Sequence, residues 1–260
     1  MTADRGMSRP VLMLAGLLAG CTSVTPLTNK IQVGQEPFVI GVGEGSDGQT
    51  DLYAAPAHGG GFVRLTFTRA EERLPRLDPG GTRLAFVRRP AADQPWSLVV
   101  LDLLTNRENT TPVPRAAGDP VALGWSREGG ELVLRSYGPL VSPAPPRSLW
   151  LRPVQRDSVE WADSVVTVLL GERPSARLAT CPGDTVCVVA ERDTTRLPGA
   201  TRPLRWGPDS IGYLIEGEWE IRPLRGGRAR RPNWNAAPGN LRDLTYGGGE
   251  RPPGGVSSPP

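Results

Sequence analysis

Few residues in this chain have the types and spacing of a chemical site. Gly43, Gly45 and Gly48 in "GEGSDG" stand in G-x-G-x-x-G spacing after the apolar run "FVIGV". A dinucleotide-binding loop of that form must open a helix, whose N-terminus holds the pyrophosphate. The short, strand-like "QTDLYAAPAHGGG" follows instead, so these glycines are expected in a hairpin turn. His58, the single histidine, sits in "AHGGG" at a predicted hairpin tip. A Ser-His-Asp relay needs its histidine buried beside an acid and a serine, and no serine stands in a G-x-S-x-G elbow. Glu71 and Glu72 are neighbours in sequence, so within a strand they point to opposite faces and form no acid/base pair by themselves. Carboxylates brought together around a shared channel are the remaining route to hydrolytic chemistry. No catalytic, cofactor-binding or metal-ligating residue is expected.

The three cysteines are more informative. The chain opens "MTADRGMSRPVLMLAGLLAGCTS", with Met1 or Met7 as the start, Arg5 and Arg9 as a positive n-region, and Val11 to Ala19 as an apolar run. That run is too short to span a bilayer, which takes about 20 residues, and suits a secretory signal peptide. Its end, Leu18-Ala19-Gly20-Cys21, resembles the bacterial lipobox, in which small residues precede a cysteine. The resemblance implies that residues 1–20 are removed and that Cys21 carries lipid, a membrane anchor. Thr22 stands where an aspartate would resemble an inner-membrane retention signal, so the outer membrane, facing the periplasm, is the expected location. Cys181 and Cys187 flank the turn-forming "PGDTV". Zinc needs about four ligands, and His58 is the only histidine. In an oxidising compartment the pair reads as a disulfide across a hairpin, with two reduced thiols on neighbouring strand positions as the alternative.

Positioning elements follow from composition. Gly 32 and Pro 28 among 260 residues is about twice ordinary usage, which leaves little room for long helices and favours short strands joined by turns. The net charge is only +3, and Lys30 is the only lysine among scattered arginines. The single arginine cluster, "GGRARRP" at 226–232, is no nucleic-acid stripe. Residues 21–36 read as a lipidated tether, and 247–260, "GGGERPPGGVSSPP", as a disordered tail.

Between them the chain repeats itself. "LPRLDPGGTRLAFV" (74–87), "VALGWSREGGELVLRS" (121–136) and "RPLRWGPDSIGYLIEG" (202–217) share an apolar approach, a turn and an apolar strand, with "LATCPGDTVCVVAE" (178–191) a fainter copy. A second unit accompanies these at 51–66, 97–113, 148–159 and 218–232, alternating apolar and polar residues into a polar turn. Each pair makes four strands, and a period of 40 to 50 residues with four strands is the signature of propeller blades. The copies resemble the WD40-like repeats of the TolB propeller, whose core reads Pro-x-Trp-Ser-Pro-Asp-Gly before an apolar strand. The resemblance covers roughly 37–246 and implies an all-β propeller of four-stranded blades, five by length, or six if some units are short. "FVIGV" lacks an approach strand and "NLRDLTYG" (240–247) is a spare one, so the two are expected to close the ring in one blade. The αβ domain that precedes the TolB propeller has no counterpart here, so the resemblance carries the fold and not the pathway.

Trp125 and Trp206 occupy equivalent repeat positions and read as core. Trp96, Trp150, Trp161, Trp219 and Trp234 are core or rim; any on an open face is a contact for a protein or a sugar. The resulting expectation is a lipid-anchored periplasmic propeller that binds envelope proteins as a scaffold. A periplasmic hydrolase or lyase with acids at the channel, and a carbohydrate or peptidoglycan binder, are the alternatives.

Overall fold

A computed structural model of the chain describes residues 23–24, 27, 31–113, 118–125, 132–137, 147–151, 159–162, 177–181, 185–190, 193–207, 209–223 and 226–248. Every regular element among them is a strand. Short pieces come first: β1 (Ser23–Val24), β4 (Gly59–Gly61) and β6 (Thr66–Phe67). The first large sheet joins β2 (Phe38–Glu44), β3 (Thr50–Pro56), β5 (Val63–Arg64) and β22 (Gly239–Gly247) in the order β22-β2-β3-β5. The second runs through β7 (Glu71–Leu77), β8 (Arg83–Arg89), β9 (Ser97–Asp102) and β10 (Glu108–Pro112) as a meander. The third is β11 (Asp119–Trp125), β12 (Leu132–Tyr137), β13 (Arg147–Leu151) and β14 (Val159–Ala162). Three-stranded meanders follow: β15 (Arg177–Cys181), β16 (Thr185–Ala190) and β17 (Asp193–Leu197), then β18 (Thr201–Trp206), β19 (Ser210–Ile215) and β20 (Glu218–Pro223). Last, β21 (Asn233–Asn235) pairs in parallel with β4.

This is the all-β propeller that the repeats imply, and within each large sheet neighbouring strands are antiparallel. The first sheet closes as expected: Phe38 faces Gly247 and Val39 faces Tyr246, so the strand from "NLRDLTYG" completes the sheet begun by "FVIGV". β7 packs against β22 and β11, and β18 packs against β22, which places these strands on the inner side of their sheets.

Period-two alternation explains why the sheets stack. On β8, Leu84 and Phe86 enter the core shared with the first sheet, while Ala85 and Val87 enter the core shared with the third. β9 divides the same way, Val99 and Leu101 to one side and Leu98 and Val100 to the other. A central strand apolar on both faces cannot stand in water, so each sheet needs a neighbour on either side. Fully burying one such side chain contributes about 1.5–3 kcal/mol.

The repeated turn is organised by its aspartate. Asp78 accepts from the backbone N–H groups of Thr82 (2.8 Å) and Arg83 (2.9 Å) and from Arg83 Nε (3.0 Å). Gly81 in that turn has φ +67°, and a Cβ there would lie 2.6 Å from the backbone nitrogen of Gly248. The repeat tryptophans are core, as expected. Trp125 donates from Nε1 to the carbonyl of Arg76 (2.9 Å), tying one inner strand to the next. Trp206 lies over Gly212, where a Cβ would come within 2.6 Å of the indole ring.

One reading needs correction. Part of the expected tether lies in the fold: Leu27, Ile31 and Val33 are buried in the core between the first two sheets, and Ser23 and Val24 pair with Phe67 and Thr66. Three apolar side chains seal that seam, a larger gain than leaving them in water on a free linker.

Candidate functional site

Two places gather the polar chemistry of the described residues. The first is the seam between the first and second sheets. Asp51 on β3 and Glu72 on β7 are both fully buried, and Thr66 lies between them. The Thr66 hydroxyl is 2.6 Å from Glu72 Oε2 and 3.3 Å from Asp51 Oδ1, and it accepts from the Leu52 N–H at 3.0 Å. A hydroxyl has one hydrogen to give, so the shorter contact takes it. Asp51 is paired through Arg64, whose Nε lies 2.9 Å from Oδ2, and through the Thr68 N–H at 3.0 Å. Arg64 reaches on to Asp47 at 2.8 Å. Glu72 is paired with Arg88 Nε at 2.8 Å, and Arg88 also clasps Glu108 at 2.9 and 3.1 Å.

Burial pushes the Glu72 carboxyl above its ordinary range, with Arg88 and Thr66 opposing and Asp51 adding to the rise. The hydrogen bond from Arg64 holds Asp47 below its ordinary range. Acids from neighbouring sheets therefore do meet, yet each is occupied by arginine and hydroxyl donors. Removing one partner of such a buried pair costs about 3–5 kcal/mol. The arrangement locks two sheets together.

The inner strands carry a second pattern that the sequence reading did not foresee. Register shifts fall between Arg73 and Arg76 on β7, Pro120 and Ala122 on β11, Thr201 and Leu204 on β18, and twice along the β2–β22 pairing. Bulged residues adopt left-handed backbone: Leu74 (φ 56°), Arg202 (φ 52°) and Asp243 (φ 53°). Bulges re-aim side chains, and here Arg202 meets Asp243 across two sheets at 2.9 Å. Arg76 donates to the Pro75 carbonyl at 2.7 Å, and burial holds its pKa below the usual arginine range, with Asp243 opposing.

The second place is a cleft of about 480 Å³ between the fifth sheet and β22. Trp219 and Leu214, cross-strand partners on β20 and β19, form one wall. The crossing from β20 to β22 supplies Arg231, Pro232, Trp234 and Pro238, and the inner strands supply Arg202, Asn240 and Arg242. Trp234 is fixed by its Nε1 donating to the Pro56 carbonyl at 3.0 Å and by Phe62 edge-on at 5.1 Å. Trp219 is 6% exposed, and its Nε1 is buried with no hydrogen-bond partner. Leaving such a donor unpaired costs about 1–3 kcal/mol. Arg231 has only a long contact to Glu220, 3.6 Å, and Arg242 has no ion-pair partner among the described residues.

The predicted residues distribute as follows. Gly45 and Gly48 lie in the β2–β3 hairpin turn, where the Gly48 N–H donates to the Gly45 carbonyl at 3.0 Å, and no helix follows. His58 is exposed in a turn. Glu71 and Glu72 separate as expected, Glu71 to Arg89 and Glu72 to Arg88. Trp96 is core, its Nε1 donating to Asp119 at 2.9 Å between Arg73 and Arg89. Register puts Cys181 opposite Thr185 and Cys187 opposite Ala179, two positions apart on adjacent strands. Cys21 and the side chains of Cys181, Cys187, Trp150 and Trp161 lie outside the described residues. Asp51, Thr66 and Arg242 were not singled out by sequence; the only signal was a charged residue inside the apolar "TDLYAAP".

No family model and no curated protein matches the chain. Among solved structures, TolB from Acinetobacter baumannii is 12% identical with a TM-score of 0.48, over 82% of this chain and 67% of that one. The putative TolB from Agrobacterium tumefaciens is 16% identical with a TM-score of 0.37, over 76% of this chain and 66% of that one. The β-propeller domain of the Trilobed protease from Pyrococcus furiosus is 10% identical with a TM-score of 0.41, over 75% and 78%. The chain thus spans about two thirds of the length of the TolB structures. In fold, it is similar to TolB-type β-propellers.

Proposed function

We propose that this chain is an outer-membrane lipoprotein, anchored through Cys21, whose propeller binds envelope proteins in the periplasm. The observation that carries the binding reading is the contrast in donor occupancy. Buried Asp51 and Glu72 are each engaged by an arginine and by hydroxyl or backbone donors, whereas in the arginine- and tryptophan-lined cleft Arg242 has no ion-pair partner among the described residues. Saturated carboxylates support no proton transfer, and arginine and tryptophan are the side chains that anchor protein contacts. The lipobox-like "LAGC" and the apolar run before it support the anchor. The five large sheets are read as five blades.

Affinity capture with the lipidated protein from intact envelopes tests the reading. Specific envelope proteins are expected to be retained, and repeated capture of none overturns the scaffold role. Cys21→Ser is expected to release a soluble form; unchanged membrane association refutes the anchor.

A further inference from the structure

We infer that the cleft between the fifth sheet and β22 is a binding site for an extended acidic peptide. The inference rests on the binding-module reading and names the ligand class of one site within it. Three observations converge. The cleft is a formed cavity of about 480 Å³ walled by Trp219, Leu214 and Trp234. The lining is charged in one direction, with Arg202, Arg231 and Arg242 against Glu218. Of these arginines, Arg202 is committed to Asp243 at 2.9 Å, Arg231 is held only loosely by Glu220 at 3.6 Å, and Arg242 has no ion-pair partner among the described residues.

These features specify a ligand. A guanidinium without a counter-ion selects a carboxylate, which it grips with two parallel hydrogen bonds. The Trp234 ring and the flanking Pro232 and Pro238 offer flat apolar contact to a chain lying between the charges. The volume of about 480 Å³ is that of a pocket for a short segment, not a flat surface for a folded domain. The walls are pre-formed, since Trp234 is held from behind by Pro56 and Phe62, so little ordering opposes binding.

The test is fluorescence anisotropy with a labelled decapeptide of alternating Asp and Ala, against the same peptide with Asn for Asp. The Asp peptide is expected to bind the full-length protein and the Asn peptide to bind at least tenfold more weakly. Arg242→Gln is expected to weaken the Asp peptide about tenfold and Arg231→Gln about fivefold, while Arg228→Gln, an exposed arginine outside the lining, leaves it unchanged. Unaltered circular dichroism of the two cleft variants separates lost binding from lost folding. Equal binding of both peptides, or indifference to both cleft substitutions, overturns the assignment. So does polygalacturonate competing for the cleft better than the peptide. If envelope capture succeeds while the peptide fails, the cleft assignment falls and the scaffold reading stands; peptide binding with failed capture does the reverse.

Discussion

The seam between the first and second sheets and the seam between the fifth and first are built from the same kinds of part and finished differently. At the first, Leu27, Ile31 and Val33 add apolar cover, and Asp47, Arg64, Asp51, Thr66, Glu72, Arg88 and Glu108 form a chain of paired groups. At the second, Trp206, Trp219, Ile221 and Leu244 make an apolar floor, but the crossing segment roofs it only partly. One seam spends its polar groups on itself. The other leaves, among the described residues, a cation over beside an open cleft.

Substitutions can break this contrast in order of size. Phe86→Ala in the sealed seam is expected to cost about 3–5 kcal/mol, read as a fall in the denaturant midpoint. A loss below 1 kcal/mol would show that the seam yields to fill the space. Thr66→Val removes the hydroxyl between two acids and leaves the Leu52 N–H without an acceptor, an expected loss of about 1–3 kcal/mol.

Glu72→Gln sharpens the electrostatic side. Because the folded-state pKa of Glu72 is raised from 4.5, the folded state holds this proton more tightly than the unfolded chain. Its contribution is therefore full below the unfolded value and is lost as pH rises through the folded one. The stability of the wild type relative to Glu72→Gln should fall from pH 4 to pH 8 in parallel denaturant titrations. A rising difference would show that the Arg88 pairing dominates burial. Trp219→Phe in the open seam removes an unpaired buried donor but also shrinks a core side chain, so the opposing effects are expected to leave stability within about 1 kcal/mol. The smallest effect concerns Cys181 and Cys187: denatured, unreduced protein is expected to show no free thiol at either. Two free thiols would mean that the two-position offset of the strands holds the sulfurs apart.

How much of this was legible depends on how locally each feature is encoded. The Asp78 turn binds residues four and five positions away, so it repeats as a readable string. Trp125 and Trp206 were legible because a period shared by several copies exposes equivalent positions. Ring closure was legible as a missing strand at one end and a spare at the other. The burial of Leu27, Ile31 and Val33 was not, because they pack from irregular chain and follow neither helical nor strand spacing. Thr66 is 15 residues from Asp51 and 6 from Glu72, and nothing local marks a threonine that two acids will share. The cleft was least visible, since Trp219, Trp234 and Arg242 come together only after β21 crosses to β4 and the chain turns inward.

The early strand pairing at Ser23 and Phe67 also sets a geometry for the whole molecule. With lipid on Cys21, as proposed, only one residue, Thr22, would separate the anchor from the strand at Ser23, a reach of about 7 Å. The propeller would then not swing freely on a leash. On that proposal it would sit against the bilayer along the edge that carries Phe67, 47% exposed with the Arg64 guanidinium 4.8 Å from its ring centre. An apolar ring and a cation at that height suit the lipid headgroup boundary. Pinning one edge would fix the tilt of the propeller, and with it the direction in which the other sheets face away from the membrane.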